Sequence, residues 1–88
     1  MVVYKFPLEI SGEQKIDVPK GTKFLSVQDC RGVLCFWGLC DPNRLWEKVS
    51  IRIYGTGYEL DVEEDSLQYI GTAQTHDNTL VWHVFKEL

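Results

Sequence analysis

Apolar residues in this chain recur at every second position, and no 3.6-residue period survives for more than about two turns, so the chain is built to form strands. Tyr4, Phe6, Leu8 and Ile10 alternate with polar Lys5 and Glu9. Val49, Ile51 and Ile53 alternate in the same way with Ser50, Arg52 and Tyr54, the clearest half-exposed strand in the sequence. Clusters of turn-forming residues cut these runs: Ser11-Gly12-Glu13, Pro19-Lys20-Gly21-Thr22, Arg31-Gly32, Asp41-Pro42-Asn43, Gly55-Thr56-Gly57 and His76-Asp77-Asn78-Thr79. The pattern predicts an all-β fold, a compact antiparallel sandwich or barrel of about seven or eight short strands. With 88 residues the chain can close one core and not two, giving a single β domain over residues 1–88.

Individual runs sharpen the expectation. Pro7 has no N–H to give to a ladder, which puts the first strand at a sheet edge or at a bulge. Ile16 to Val18 reads as a short return strand. Val33 to Cys40 is apolar on both faces and should be the central strand, with Gly38 marking a bulge or a close approach by another backbone. Only Arg31-Gly32 separates it from the strand Phe24 to Cys30, the spacing of a tight hairpin. Pro42 to Glu47, capped by Asp41, is the one place where a single helical turn is expected. Tyr58 to Val62 reads as a further extension, and Leu67, Tyr69, Gly71 and Ala73 should share one face of a later strand. Leu80 to Phe85 is β-branched and aromatic and should close the domain as a buried strand.

Charge and motif content exclude several classes of function. The net charge is −4, and Glu59, Asp61, Glu63, Glu64 and Asp65 crowd into one short stretch. Such a surface repels phosphate backbones, and the nine basic residues are scattered, so direct nucleic-acid binding is not expected. No run of about 18 apolar residues exists to span a membrane. The N-terminal decapeptide alternates and lacks the pattern of an export signal, which points to a reducing cytoplasm. Cys30, Cys35 and Cys40 are odd in number and five residues apart, a spacing that fails the short zinc-clamp pattern. Reduced, buried thiols are the expectation, with no metal and no cofactor. His83 lies in an apolar strand and reads as a hydrogen-bonded core histidine; His76 lies in a turn with no nucleophile beside it in sequence. No catalytic motif is present, and the chain is read as a non-enzyme.

Two clusters remain as candidate sites. Arg52 and Tyr54 project from one strand face just before Gly55-Thr56-Gly57 and Tyr58, so a guanidinium beside phenol rings could hold a phosphate or stack on a base. Against this stands the plainer reading, an Arg stem packed on a neighbouring Tyr before a turn. Glu63, Glu64 and Asp65 could meet a basic protein surface; the plainer reading is a solvated loop.

Three segments carry a resemblance: Lys20-Gly21 followed by Phe24-Leu25-Ser26-Val27, Ile51 through Gly57, and Tyr69-Ile70-Gly71-Thr72 with Leu80 through Phe85. In these the chain resembles an uncharacterised family of small accessory proteins encoded by tailed bacteriophages. The resemblance supplies no residue roles. It implies a small accessory protein in the cytoplasm of a bacterial host, with antagonism of host defence as one such role. Some small β proteins of this kind sequester nucleotide-derived signals, usually as symmetric homo-oligomers, and others cover a host protein. The resulting expectation is a binding protein for a small anionic or nucleotide-like ligand at Arg52, Tyr54 and Tyr58. The alternative is an interaction module that meets a host or phage protein through a strand edge or the loop at Glu63, Glu64 and Asp65.

Overall fold

Phe36 is fully buried in the middle of the chain's most apolar strand, and the rest of the architecture can be built outward from it. The computed structural model describes every residue except His76 and Asn78. Its described residues form seven strands: β1 (Val2–Pro7), β2 (Glu13–Pro19), β3 (Lys23–Cys30), β4 (Val33–Cys40), β5 (Trp46–Gly55), β6 (Leu67–Thr75) and β7 (Leu80–Glu87). A 3-10 turn at Glu64–Ser66 precedes β6. The strands make two antiparallel sheets, ordered β1-β4-β3 and β2-β5-β7-β6. This is an all-β sandwich whose two sheets meet along one side, where β3 lies against β6.

The double-sided apolar strand is the central one of its sheet, as its composition requires. Its core face carries Leu34, Phe36 and Cys40. Phe36 stacks between Phe6 on one neighbour (ring centroids 4.9 Å apart) and Phe24 on the other (4.6 Å). The triple stack fixes Gly38, where a side chain would put Cβ 2.9 Å from the Phe6 ring and 2.8 Å from the Thr22 methyl. The close approach at Gly38 is therefore by side chains, not by another backbone. The bulge lies across from it in β3, between Phe24 and Ser26. From the four-stranded sheet, Val18, Ile51, Ile53, Ile70, Ala73 and Val84 complete the core.

The Arg31-Gly32 hairpin forms as expected, with positive φ at both central residues (56° and 86°). Pro7 indeed sits in an edge strand. Several local expectations need correction. The strand β2 does not return along β1; the chain crosses to the other sheet and pairs with β5, Ile16 opposite Val49. Pro42 to Glu47 makes no helical turn. Asp41 instead closes a tight turn, its carboxylate accepting the Asn43 N–H and its carbonyl the Arg44 N–H, and the chain is extended again by Trp46. Tyr58 to Val62 is an irregular loop with no strand pairing. In β6 the register slips between Tyr69 and Gly71, so Ile70 turns into the core and Tyr69 out of it, breaking the single face read from sequence. Only Val84 of β7 is fully buried, because that strand is central and its other face is lightly covered. The turn expected at His76–Thr79 falls partly outside the described residues, which there are Asp77, at φ 56°, and Thr79.

Candidate functional site

The alternation in β5 decides the orientation of the predicted site. Ile51 and Ile53 point into the core, so Arg52 and Tyr54 stand on the opposite face. There Arg52 is not free to hold an anion. Its Nε donates to Glu87 at 2.5 Å, Nη1 to both oxygens of Asp61 at 3.1 Å, and Nη2 to Glu13 at 3.3 Å. Three carboxylates thus surround one guanidinium whose side chain is only 15% exposed. The bond to Glu87 leads in holding its pKa above the ordinary arginine value. Tyr54 donates its hydroxyl to the same Asp61 at 2.7 Å and packs edge-on against Phe85. Burial, and then the bond to Asp61, raise the Tyr54 pKa. Asp61 is held below the usual carboxylate range, first by the Tyr54 hydroxyl, with Arg52 adding its charge.

Beyond Tyr54 the strand ends at Gly55, and the Tyr58 N–H closes a turn onto the Gly55 carbonyl at 3.1 Å. Gly55 lies directly opposite Trp82 in β7. With no side chain on Gly55, the Tyr58 and Trp82 rings both rest against it, at 3.3 and 3.5 Å from where a Cβ would stand. The indole N–H of Trp82 is tied down to buried Thr75 at 2.9 Å. A hollow of about 380 Å³ opens here, its apolar wall made by Ile10, Ile53, Tyr54, Tyr58 and Trp82 and its rim by Glu59 and Asp61. A second hollow of about 220 Å³ shares Gly55, Tyr58 and Trp82 with the first, and Tyr58 is 69% exposed.

Of the predicted binding residues, Tyr54 and Tyr58 line one cleft, and Arg52 stands behind it as the anchor of Asp61. Sequence reasoning missed two further lining residues, Trp82 and Asp61: the first is placed by its register with Gly55 and the second by its reach to Arg52 and Tyr54, neither of which a local pattern encodes. The acidic stretch is divided. Asp61 is drawn into the arginine network, whereas Glu63, Glu64 and Asp65 all face solvent around the 3-10 turn, which Ser66 closes by bonding to the Glu63 carbonyl.

His83 is a further correction. It lies on the outer face, between Thr56 at 2.7 Å and Thr72 at 3.0 Å, in a hydrogen-bonded row that continues to Tyr69. The thiols also separate: Cys40 belongs to the core, while the Cys30 and Cys35 sulfurs meet 2.6 Å apart on the other face of β4. Among the described residues no group of three or more His, Cys, Asp or Glu could hold a metal ion, and no helix is long and apolar enough to cross a membrane.

Compared with known proteins, the chain matches over residues 1–88 a family described as a domain of unknown function, DUF7352. The chain belongs to that family. No curated protein matches the DUF7352 domain seen here, and no solved structure does.

Proposed function

We propose that this DUF7352 domain is a non-enzymatic binding protein whose ligand places a flat ring in the cleft between Tyr54, Tyr58 and Trp82. The observation that carries this reading is an aromatic-walled hollow of about 380 Å³, large enough for a ring. The charge around it argues for the kind of ligand. Arg52 is already outnumbered by Glu13, Asp61 and Glu87, and Glu59 adds another acid at the rim. A phosphate at Arg52 would have to displace a carboxylate, so the base-like part of a nucleotide-like ligand fits and its anionic part does not. A neutral or positively charged ring, drawn by aromatic faces and acids, fits best. Action as a phage accessory protein in the host cytoplasm, as a homo-oligomer and against host defence, is part of the proposal on the sequence resemblance alone.

Native mass spectrometry of protein purified gently from its producing cells tests this reading and records the oligomeric state together. The expected result is an organic adduct that is lost in Tyr58→Ala. Because Tyr58 is mostly exposed, that variant should keep its stability within about 0.5 kcal/mol while its ligand affinity falls about tenfold or more. A phosphate-bearing adduct kept by Tyr58→Ala would overturn the assignment.

A second reading is favoured by the exposure of Glu63, Glu64 and Asp65, three adjacent acids clear of the arginine network. They would meet a basic protein surface. Reversing the three charges should then abolish pull-down of such a partner, and an unchanged pull-down would remove the loop from consideration.

A further inference from the structure

The β3–β4 hairpin brings together two thiols that line neither of the hollows beside Tyr58. Cys30 is opposite Val33 and Cys35 is opposite Gln28, so the two cysteines are diagonal neighbours across the hairpin. Their sulfurs are 2.6 Å apart, and both residues are free thiols in this structure. The Cys35 sulfur also lies 3.5 Å from the Gln28 carbonyl, which holds it on the side of the strand that Cys30 occupies. The third cysteine cannot join them, because Cys40 points from the other face of β4 into the core. Closing the gap to a covalent bond of about 2.05 Å needs a movement of roughly half an ångström.

We propose that Cys30 and Cys35 form a dithiol site that takes peroxide as a two-electron oxidant and closes reversibly to a disulfide. The two thiols differ in reactivity. Cys30 is partly open to solvent, whereas Cys35 is buried. Burial above all, with the hydrogen bond and charge of Cys30, pushes the Cys35 thiol up to about 11. Cys30 is therefore the first nucleophile. Its thiolate attacks one peroxide oxygen, the O–O bond breaks, and the departing hydroxide takes up a proton to leave as water. Cys30 is then a sulfenic acid. Cys35 sulfur attacks the Cys30 sulfur, giving up its own proton as the S–O bond breaks and a second water leaves. Two thiols and one peroxide give one disulfide and two waters. An added thiol reverses the step by exchange. Because Cys35 must lose a proton to resolve the sulfenic acid, closure should quicken as pH rises from neutrality toward 11.

The test uses the full chain, reduced and then treated with hydrogen peroxide, followed by alkylation in denaturant, intact mass and peptide mapping. The expected result is a loss of about 2 Da and a fall from three alkylatable thiols to one. The mapped cross-link should join Cys30 to Cys35 and leave Cys40 alkylated. Dithiothreitol should restore all three thiols. Cys30→Ser should abolish the intramolecular cross-link, and wild-type mapping carries the result even if that variant folds poorly. Three surviving thiols, a cross-link that includes Cys40, or overoxidation of Cys30 without closure would each overturn the proposal.

Discussion

Replacing Phe36 with alanine is expected to lower the unfolding free energy by about 4 kcal/mol, within the range found for Phe truncation in a core. For a domain of this size that is a large part of a total of about 5–15 kcal/mol. The residue is fully buried and carries the middle ring of the Phe6–Phe36–Phe24 stack. Truncation removes its transfer energy and both stacking contacts, and leaves a cavity between three paired strands that cannot collapse without shearing the ladder. Phe36→Leu should recover most of the loss, because it refills much of the volume. Urea unfolding followed by fluorescence measures both. A midpoint for Phe36→Ala near that of the wild type would mean that the core is centred elsewhere.

Arg52→Met should cost about 2 kcal/mol at pH 7, between the values for buried and exposed ion pairs, because the guanidinium is largely covered while its partners are open to differing degrees. Methionine keeps much of the stem, so the loss reports the charge and its hydrogen bonds. The effect has a definite pH dependence. Asp61 has a folded-state pKa below its unfolded value of about 3.9. Its contribution is present above that value and is lost as pH falls through the lowered folded pKa. The gap between wild type and Arg52→Met should therefore be widest near neutrality and shrink below about pH 4, as Asp61 protonates. Arg52 itself stays charged throughout. Chemical denaturation from pH 3 to pH 8 reads this, and a gap that widened in acid would contradict the network.

Residues whose neighbours in sequence determine their structure were legible; those that depend on distant partners were not. The two-faced apolar run of β4 announced a central strand, and Arg31-Gly32 announced its hairpin. The alternation of Val49 through Tyr54 correctly separated the two faces of β5 but not their exposure, since Tyr54 is buried and Arg52 largely covered. The pairing of β2 with β5 depends on the closing of the sandwich, which no local pattern encodes. The same holds for Ile70, whose turn into the core comes from a one-residue slip that leaves the composition of β6 unchanged. At the site, Arg52 reads in isolation as a cation awaiting an anion. Its partners Glu13, Asp61 and Glu87 lie 39, 9 and 35 residues away, so neutralisation is a tertiary fact. Asp61 and Glu63 look alike within one acidic stretch, and only the first comes within reach of Arg52. Tyr54 and Tyr58 were legible as neighbours because the glycines between them set a turn that lays the Tyr58 ring on Gly55, and both residues line one hollow.

The central claim is that the cleft beside Tyr58 takes a ring and not an anion. The most direct test is a ¹H–¹⁵N NMR titration of the full chain with three probes: adenosine, adenosine 5′-monophosphate and 1-methylnicotinamide. The account predicts saturable shifts around Gly55, Tyr58, Asp61 and Trp82, with the cation or the neutral nucleoside binding more tightly than the phosphate. Tighter binding of the monophosphate, with shifts centred on Arg52, would contradict it, as would the absence of shifts in the cleft with all three.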